Sequence, residues 1–103
     1  MDIYDPATDT FAANGSIPQF SYGGSATGHV MNNGLVVFFG GSGSGTVSSY
    51  ASVYDPISNT MTLESNTMSS WRYMHSSAKL NDGRIVIIGG TNVANATADV
   101  YTQ

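Results

Sequence analysis

Two short apolar segments, each preceded by a polar residue and a glycine, dominate the hydropathy pattern of the chain. Asn33-Gly34 precedes the segment 35–39, and Asp82-Gly83 precedes the segment 84–88. Such dipeptides beside apolar runs predict two-residue hairpin turns in which both central residues have positive φ. Nearly continuous apolar residues predict strands that are covered on both faces. No segment shows the period of a helix.

The chain repeats itself with a period of about fifty residues. Residues 3–11 (Ile-Tyr-Asp-Pro-Ala-Thr-Asp-Thr-Phe) return at 53–61 as Val-Tyr-Asp-Pro-Ile-Ser-Asn-Thr-Met. Residues 33–41 return at 82–90, and a third partial copy begins at Val100. A period of this length is typical of proteins in which each repeat is one supersecondary unit, including β-propellers.

The complete repeat contains four predicted strands, at 29–31, 35–39, 51–54 and 60–63. Asp5-Pro6 and Asp55-Pro56 predict turns before the last of these strands, since proline restricts φ and aspartate can accept from the following backbone. Four short strands in succession are typical of a propeller blade. We therefore predict an all-β chain, a partial β-propeller. Its parts are residues 1–24 (the second half of one blade and a linker), 25–68 (a complete blade) and 69–103 (most of the next blade).

The repeated motif resembles the Kelch repeat, including that of galactose oxidase-like propellers. The resemblance rests on a doubled glycine after an apolar strand, then a Val-Tyr-Asp-Pro strand end, then Met68, Arg72 and His75. It implies four-stranded blades whose motif positions are Gly40, Gly41, Tyr54, Asp55, Pro56, Gly89 and Gly90. The chain departs from the family at Phe11 and Met61, where a tryptophan is usual, and at Gly23, which aligns with Arg72.

Two repeats do not close a propeller, which needs at least four blades. An isolated pair would leave apolar blade faces in water. The chain is therefore expected either to be an excerpt of a longer chain that supplies further blades, or to self-associate and complete the propeller.

Charge and composition limit the classes of partner that we expect the chain to bind. Charged residues make up 10% of the chain and the formal net charge is −4, with 3 basic residues, which argues against nucleic acid. No apolar run approaches the ~18 residues of a membrane span. Cysteine is absent, which excludes disulfides but leaves both an extracellular and a cytoplasmic location open. Asn14 and Asn95 begin sequons and are candidate glycosylation sites.

Loop length indicates where recognition would occur. Connections in a meander alternate between its two ends, so the tight turns share one end and the long connections share the other. Long loops on a rigid scaffold commonly carry binding residues. The candidate binding residues at this end are Ser42, Ser44, Thr46, Tyr50, Arg72, Thr91, Asn92 and Asn95. The alternative is that they are solvated connectors, which the Gly-Ser alternation at 42–45 favours.

Arg72 and His75 are notable because charged residues are scarce. The Kelch resemblance implies that Arg72 joins neighbouring blades by bonding backbone carbonyls and that His75 packs beside an inner strand; the alternative for Arg72 is ligand recognition. His29 aligns with Ala78, so the two histidines are not a repeated pair. With no cysteine and no clustered carboxylates beside them, the sequence predicts no metal site, no cofactor and no catalytic residues.

The sequence therefore predicts a module that binds a protein or glycan ligand, or acts as a scaffold, and is not itself an enzyme. One alternative is a non-catalytic fragment of a secreted galactose oxidase-like copper oxidase or another carbohydrate-active enzyme. Another is a purely structural segment of a larger ring. The sequence does not identify the ligand.

Overall fold

The computed structural model describes residues 2–13, 26–43, 46–47, 49–90 and 97–102. All regular elements within these ranges are β-strands, which confirms the predicted all-β class. They are β1 (Asp2–Asp5), β2 (Thr10–Ala13), β3 (Thr27–Val30), β4 (Val36–Phe39), β5 (Ser42–Gly43), β6 (Thr46–Val47), β7 (Tyr50–Asp55), β8 (Thr60–Thr67), β9 (Ser76–Lys79), β10 (Ile85–Ile88) and β11 (Ala98–Tyr101).

The described strands form four antiparallel units. β3, β4, β7 and β8 form a four-stranded sheet in that order, and β9, β10 and β11 form a three-stranded sheet with β10 in the middle. β1 and β2 form the N-terminal hairpin, and β5 and β6 form a short ribbon. Within each sheet the strands lie side by side in the order in which they occur along the chain, so each sheet is a meander.

The strand registers repeat as closely as the sequence does. Val36 lies opposite Tyr54 in the four-stranded sheet, and Ile85 lies opposite Tyr101 in the three-stranded sheet. The N-terminal hairpin has the register of β7 and β8, because Tyr4 lies opposite Phe11 as Tyr54 lies opposite Met61. The four-stranded sheet, the three-stranded sheet and the N-terminal hairpin are therefore three copies of one unit. Among the described residues, the three-stranded sheet and the hairpin are incomplete copies.

The hairpin turns lie where the sequence predicts them, but their type differs from the prediction. Gly34 N donates to Met31 O over 3.0 Å and Met31 N donates to Leu35 O over 2.7 Å, and the same pair of bonds occurs around Gly83. Gly34 has φ 89° and Gly83 has φ 91°, whereas neither Asn33 nor Asp82 has positive φ. The two-residue turn was thus a wrong prediction. The bonds match a three-residue loop with a glycine bulge, which needs only one left-handed residue.

The Asp-Pro turns are equally repeated. Asp5 Oδ1 accepts from Ala7 N and Asp55 Oδ1 accepts from Ile57 N, each over 2.9 Å. The bond from the Ile57 main-chain amide, together with the side-chain and main-chain bonds from Ser58, holds the pKa of Asp55 below its usual value against an opposing effect of burial. A tyrosine also closes each turn: Tyr54 Oη donates to Asn59 Oδ1 over 2.9 Å, as Tyr4 does to Asp9 over 2.7 Å.

The core lies between the two sheets. Val37 and Phe39 project from one face of β4 and pack with Ile85 and Ile87 from β10; Met31 and Ala51 complete the buried cluster. Fully burying one such side chain stabilises the fold by about 1.5–3 kcal/mol. The prediction that both faces are covered is wrong for β10, because 52% of Ile88 is exposed.

Two local differences concern the long connections. β8 extends to Thr67, so residues predicted as loop after Leu63 continue the strand. The connection between β4 and β7 contains the β5–β6 ribbon, in which Ser42 lies opposite Val47. Part of this connection is thus organised by backbone pairing, which its Gly-Ser composition did not indicate.

Gly40 lies directly against the segment that connects the two sheets. It has φ 63°, and a Cβ atom there would lie 2.5 Å from Arg72 O and 2.8 Å from His75 Cε1. Its peptide N donates to Tyr50 O over 3.1 Å, and Gly41 N donates to Arg72 O over 2.8 Å. The segment that carries Arg72 and His75 can therefore lie directly on the end of the four-stranded sheet.

We expect Gly40→Ala to destabilise the fold more than Gly34→Ala. Both alanines have a left-handed conformation, which costs about 1–2 kcal/mol, but a Cβ at Gly34 meets nothing within 4 Å. The added methyl at Gly40 must displace main-chain atoms, at a further cost of about 1–3 kcal/mol. Urea unfolding of both variants measures the difference, and equal free energies of unfolding would contradict the close packing at Gly40.

Candidate functional site

The wide connections gather at one end of each sheet. β3–β4 and β7–β8 are joined by tight turns, whereas 40–49 joins β4 to β7 and 68–75 joins β8 to β9. In an antiparallel meander these two kinds of connection emerge at opposite ends. The wide connection after β10 reaches the same end of the three-stranded sheet, where Arg72 contacts both Gly41 and Gly89. We call this end the wide-loop edge.

The predicted binding residues are only partly within the described chain. Ser42 lies in β5, Thr46 lies in β6, and Tyr50 is the first residue of β7 rather than a loop residue. Tyr50 is half-buried and pairs with Thr67 of β8. Ser44, Thr91, Asn92 and Asn95, together with the sequon residue Asn14, lie outside the described residues.

Arg72 is a buried connector at the wide-loop edge. Its side chain is 0% exposed. Nη1 donates to Gly89 O over 2.8 Å and to Thr97 O over 3.1 Å, while Nη2 donates to Thr97 Oγ1 over 2.8 Å and to Asp99 Oδ2 over 2.9 Å. The carbonyl oxygen of Arg72 also accepts a hydrogen bond from Gly41 N. The burial and the bonds of Arg72 support a structural role for this residue rather than direct contact with a ligand.

Asp99 balances the charge of Arg72. Its carboxylate also accepts from Ser69 N, at 3.2 Å to each oxygen, and from Ser69 Oγ at 2.9 Å. Burial raises the pKa of Asp99, but the hydrogen bonds from Arg72 and Ser69 and the charge of Arg72 outweigh it and hold the pKa below its usual value. The carboxylate is therefore ionised and holds both ends of the segment 69–72.

His75 packs under the same segment. It is buried, and its Nε2 lies 2.9 Å from Thr27 Oγ1 of β3. Burial lowers the pKa of His75, the charge of Arg72 lowers it further, and a hydrogen bond to the Phe39 backbone opposes both. The fold thus favours the neutral imidazole.

Polar contacts continue along β3 and β9. His29 Nε2 lies 2.7 Å from Ser77 Oγ, and Lys79 Nζ donates to Val30 O over 2.8 Å. The two histidines therefore both bridge β3 and its neighbouring segment, although they are not equivalent positions of the repeat.

A cleft of about 450 Å³ lies between β8 and β11. Tyr101 Oη donates to Glu64 Oε1 across it over 2.8 Å. Burial, then the hydrogen bond and the charge of Glu64, raise the pKa of Tyr101 to about 12, so its hydroxyl stays protonated. The cleft is lined by Glu64, Asn66, Thr67, Met68, Ile87, Asp99, Val100, Tyr101 and Thr102.

Sequence reasoning missed the residues that hold Arg72. Thr97 and Asp99 bond Arg72, and Ser69 bonds Asp99. All three are ordinary polar residues whose role depends on the packing of the segment 68–75 against the three-stranded sheet. Asp99 did carry a signal, because a carboxylate beside Val100 in a strand is unusual in a chain with so few charges.

No group of three or more histidine, cysteine, aspartate and glutamate side chains among the described residues is placed to hold a metal ion. The part of the chain that the structure describes contains no helix long and apolar enough to cross a membrane.

The fold and its buried Arg72 define an all-β protein of repeated antiparallel sheets, in which an arginine–carboxylate pair fixes the segment between the sheets on the three-stranded sheet. No protein-family model matches the chain, and no curated protein matches it.

We expect Arg72→Met to destabilise the fold far more than Arg84→Met. Arg84 bonds Asp82 over 2.7 Å, but that pair is about half exposed on both sides, and such pairs contribute about 0–1 kcal/mol. Arg72→Met leaves a partly buried carboxylate without its cation, a loss of about 3–5 kcal/mol. Chemical denaturation compares the two variants, and similar small losses would contradict the structural role of Arg72.

We expect His75 to make stability fall as the pH falls below neutrality. Since its folded pKa lies below the ordinary value of about 6.5, the unfolded chain binds the proton more tightly. The stabilisation is complete above that ordinary value and is lost as the pH falls from it through the lower folded pKa. Unfolding of the wild type and of His75→Asn between about pH 7.5 and pH 5 isolates this contribution, which is at most about 1.4 kcal/mol per pH unit. Parallel curves would refute it.

Proposed function

We propose that the chain is a segment of a Kelch-type β-propeller that binds a protein or glycan ligand, or scaffolds one, through the wide-loop edge. In this proposal it binds without catalysing and needs no cofactor. Its remaining partners are further blades, from the same chain or from other copies.

The observation that carries the proposal is the convergence of the wide connections of two equivalent sheets. Residues 40–49 and 68–75 leave the same end of the four-stranded sheet, and Arg72 ties the second of them to Gly89 and Thr97. Binding surfaces commonly form where loops are held by a rigid scaffold. The tight-turn end offers less, because its turns are closed by their own side chains.

The Kelch assignment is supported by the repeated sheet and its bonds. The doubled glycine lies where a neighbouring segment approaches, as at Gly40 and Gly41. The arginine of the motif bonds the carbonyls of Gly89 and Thr97 in the next sheet. These contacts support the bonding of backbone carbonyls that the resemblance implies for Arg72, while its bond to the preceding sheet is the one from Gly41 N to its own carbonyl.

The test compares equal charge changes at the two ends of the sheets. Ser42→Arg/Thr46→Arg alters the wide-loop edge, and Ala7→Arg/Ile57→Arg alters two exposed, equivalent positions of the tight turns. The probes are an array of neutral and acidic oligosaccharides and a displayed peptide library. We expect the first variant to lose at least about tenfold in affinity for whatever the wild type retains, and the second to stay within about twofold.

Two results would contradict the proposal. One is wild-type retention of neither probe class, and the other is equal loss in both variants. Urea unfolding of both variants verifies that each is folded.

A further inference from the structure

We propose that a pair of aromatic side chains at the wide-loop edge, Trp71 and Tyr73, binds an extended, proline-rich peptide. This inference rests on the function proposed above, because it assigns a ligand class to the same edge. It selects a protein ligand over a glycan and specifies an uncharged peptide whose proline rings pack on the aromatic pair.

Trp71 and Tyr73 form a stacked pair on the segment 68–75. Their rings are nearly parallel, with an interplanar angle of 14° and centroids 6.5 Å apart. This separation lies within the range of offset-stacked aromatic pairs, so each ring limits the rotation of the other. Trp71 is the single tryptophan of the chain and is 42% exposed. The pair is therefore an ordered aromatic surface that solvent reaches.

The segment beneath the pair is fixed on both sides. Arg72 lies between the two aromatic residues in sequence, and its guanidinium is buried and bonds Gly89 O over 2.8 Å. Its carbonyl accepts from Gly41 N over 2.8 Å. The carboxylate of Asp99 holds Ser69 at the start of the segment. A ligand would therefore meet a surface that is already in place, which lowers the entropic cost of binding.

The backbone beside the pair is strained at Met74, where φ is 56°. Asp9 and Asn59 also have positive φ, but aspartate and asparagine tolerate this region and methionine does not. Strained conformations persist where the surrounding structure requires them, commonly at binding sites. Here the turn sends His75 to its buried contact with Thr27 and leaves Met74 67% exposed. An adaptable apolar side chain thus follows the aromatic pair in the chain.

The surroundings of the pair carry little exposed charge. The basic residues of the segment 68–75 are Arg72 and His75. Arg72 is buried and paired with Asp99 over 2.9 Å, and burial favours the neutral form of His75. A ligand with phosphate, sulfate or carboxylate groups would meet no exposed cation in this segment, and the formal net charge of −4 would oppose it. The pair therefore suits an uncharged ligand.

Hydrogen bonding distinguishes a peptide from a glycan as the uncharged ligand. A sugar carries several hydroxyl groups, and each one that loses water on binding needs a partner. In the segment 68–75, Arg72 bonds the three-stranded sheet, Ser69 bonds Asp99 through N and Oγ, and His75 lies against Thr27. These groups are already engaged within the fold. Proline has no N–H donor, so a proline-rich peptide makes fewer demands on this surface.

The pair also matches the dimensions of such a peptide. Proline-rich sequences form the polyproline II helix, which rises about 3.1 Å per residue with about three residues per turn. One turn is thus about 9 Å long, enough to contact both rings, whose centroids are 6.5 Å apart. This helix is ordered before it binds, and aromatic surfaces recognise it for that reason.

The fluorescence of Trp71 tests the inference directly, since the chain contains no other tryptophan. The probes are decaproline, a Gly-Ser peptide of the same length and a neutral glucose hexasaccharide. We expect decaproline to shift the emission and to saturate with a Kd below about 1 mM, and the other two probes to leave the emission unchanged. This arm uses the wild-type chain and does not depend on the folding of a variant.

Variants assign the binding to the ring pair. We expect Trp71→Ala to weaken decaproline binding at least about tenfold by calorimetry, and Trp71→Phe, which keeps a ring, to stay within about threefold. Phe11→Ala is the matched control, because Phe11 is an exposed ring that pairs with Tyr4 in the N-terminal hairpin at a 45° tilt. This control should bind like the wild type. Urea unfolding verifies that each variant is folded.

Three results would overturn the inference. They are an unchanged Trp71 emission with decaproline, equal affinities of Trp71→Ala and Phe11→Ala, and a response to the hexasaccharide in place of the peptide, which would assign the pair to a glycan. If another ligand is still lost by Ser42→Arg/Thr46→Arg, the function proposed for the wide-loop edge stands and the proline-rich ligand alone is wrong. If the wild type retains no probe of any class, both proposals fail.

Discussion

The bonds of Arg72 are the contacts on which the arrangement of the two sheets depends. Its carbonyl accepts from Gly41 at the end of the four-stranded sheet, and its guanidinium bonds Gly89, Thr97 and Asp99 of the three-stranded sheet. The apolar core alone would hold the sheets together, but burial is not directional. The guanidinium is directional, with donors in a rigid fork. It therefore fixes the segment 68–75 on the three-stranded sheet, and the carbonyl of Arg72 fixes the same segment on the four-stranded sheet.

The price of this arrangement is a buried charge, and the segment around Arg72 limits that cost. Asp99 supplies the opposite charge and is itself held by Ser69, so both members of the ion pair have further hydrogen-bond partners in the cluster. His75 fills the space beneath the segment in its neutral form, which avoids a second cation beside Arg72. The glycine at position 40 is required because both Arg72 and His75 lie against its Cα.

Much of the fold could be predicted from the sequence, because its signals are local and repeated. The signals are the turn dipeptides, the doubled glycine and the Asp-Pro motif, and each one determines the conformation of residues a few positions away. Each signal occurs twice, which strengthens the prediction of repeated antiparallel strands. The turn type was wrong because an Asn-Gly pair suits both a two-residue turn and a three-residue bulged turn, and the strand register decides between them. The partners of Arg72 could not be predicted, since Asp99 is 27 residues away along the chain and meets it only when the segment 68–75 lies against the three-stranded sheet.

The two copies of the repeat differ in a way that follows from the same electrostatics. Arg72 and Asp99 correspond to Gly23 and Ser52 in the preceding repeat, so the cation and the anion are both present in one copy and both absent in the other. Losing only one member would leave an uncompensated charge in a buried position, which is far costlier than losing both. The pair therefore behaves as a unit within the repeat.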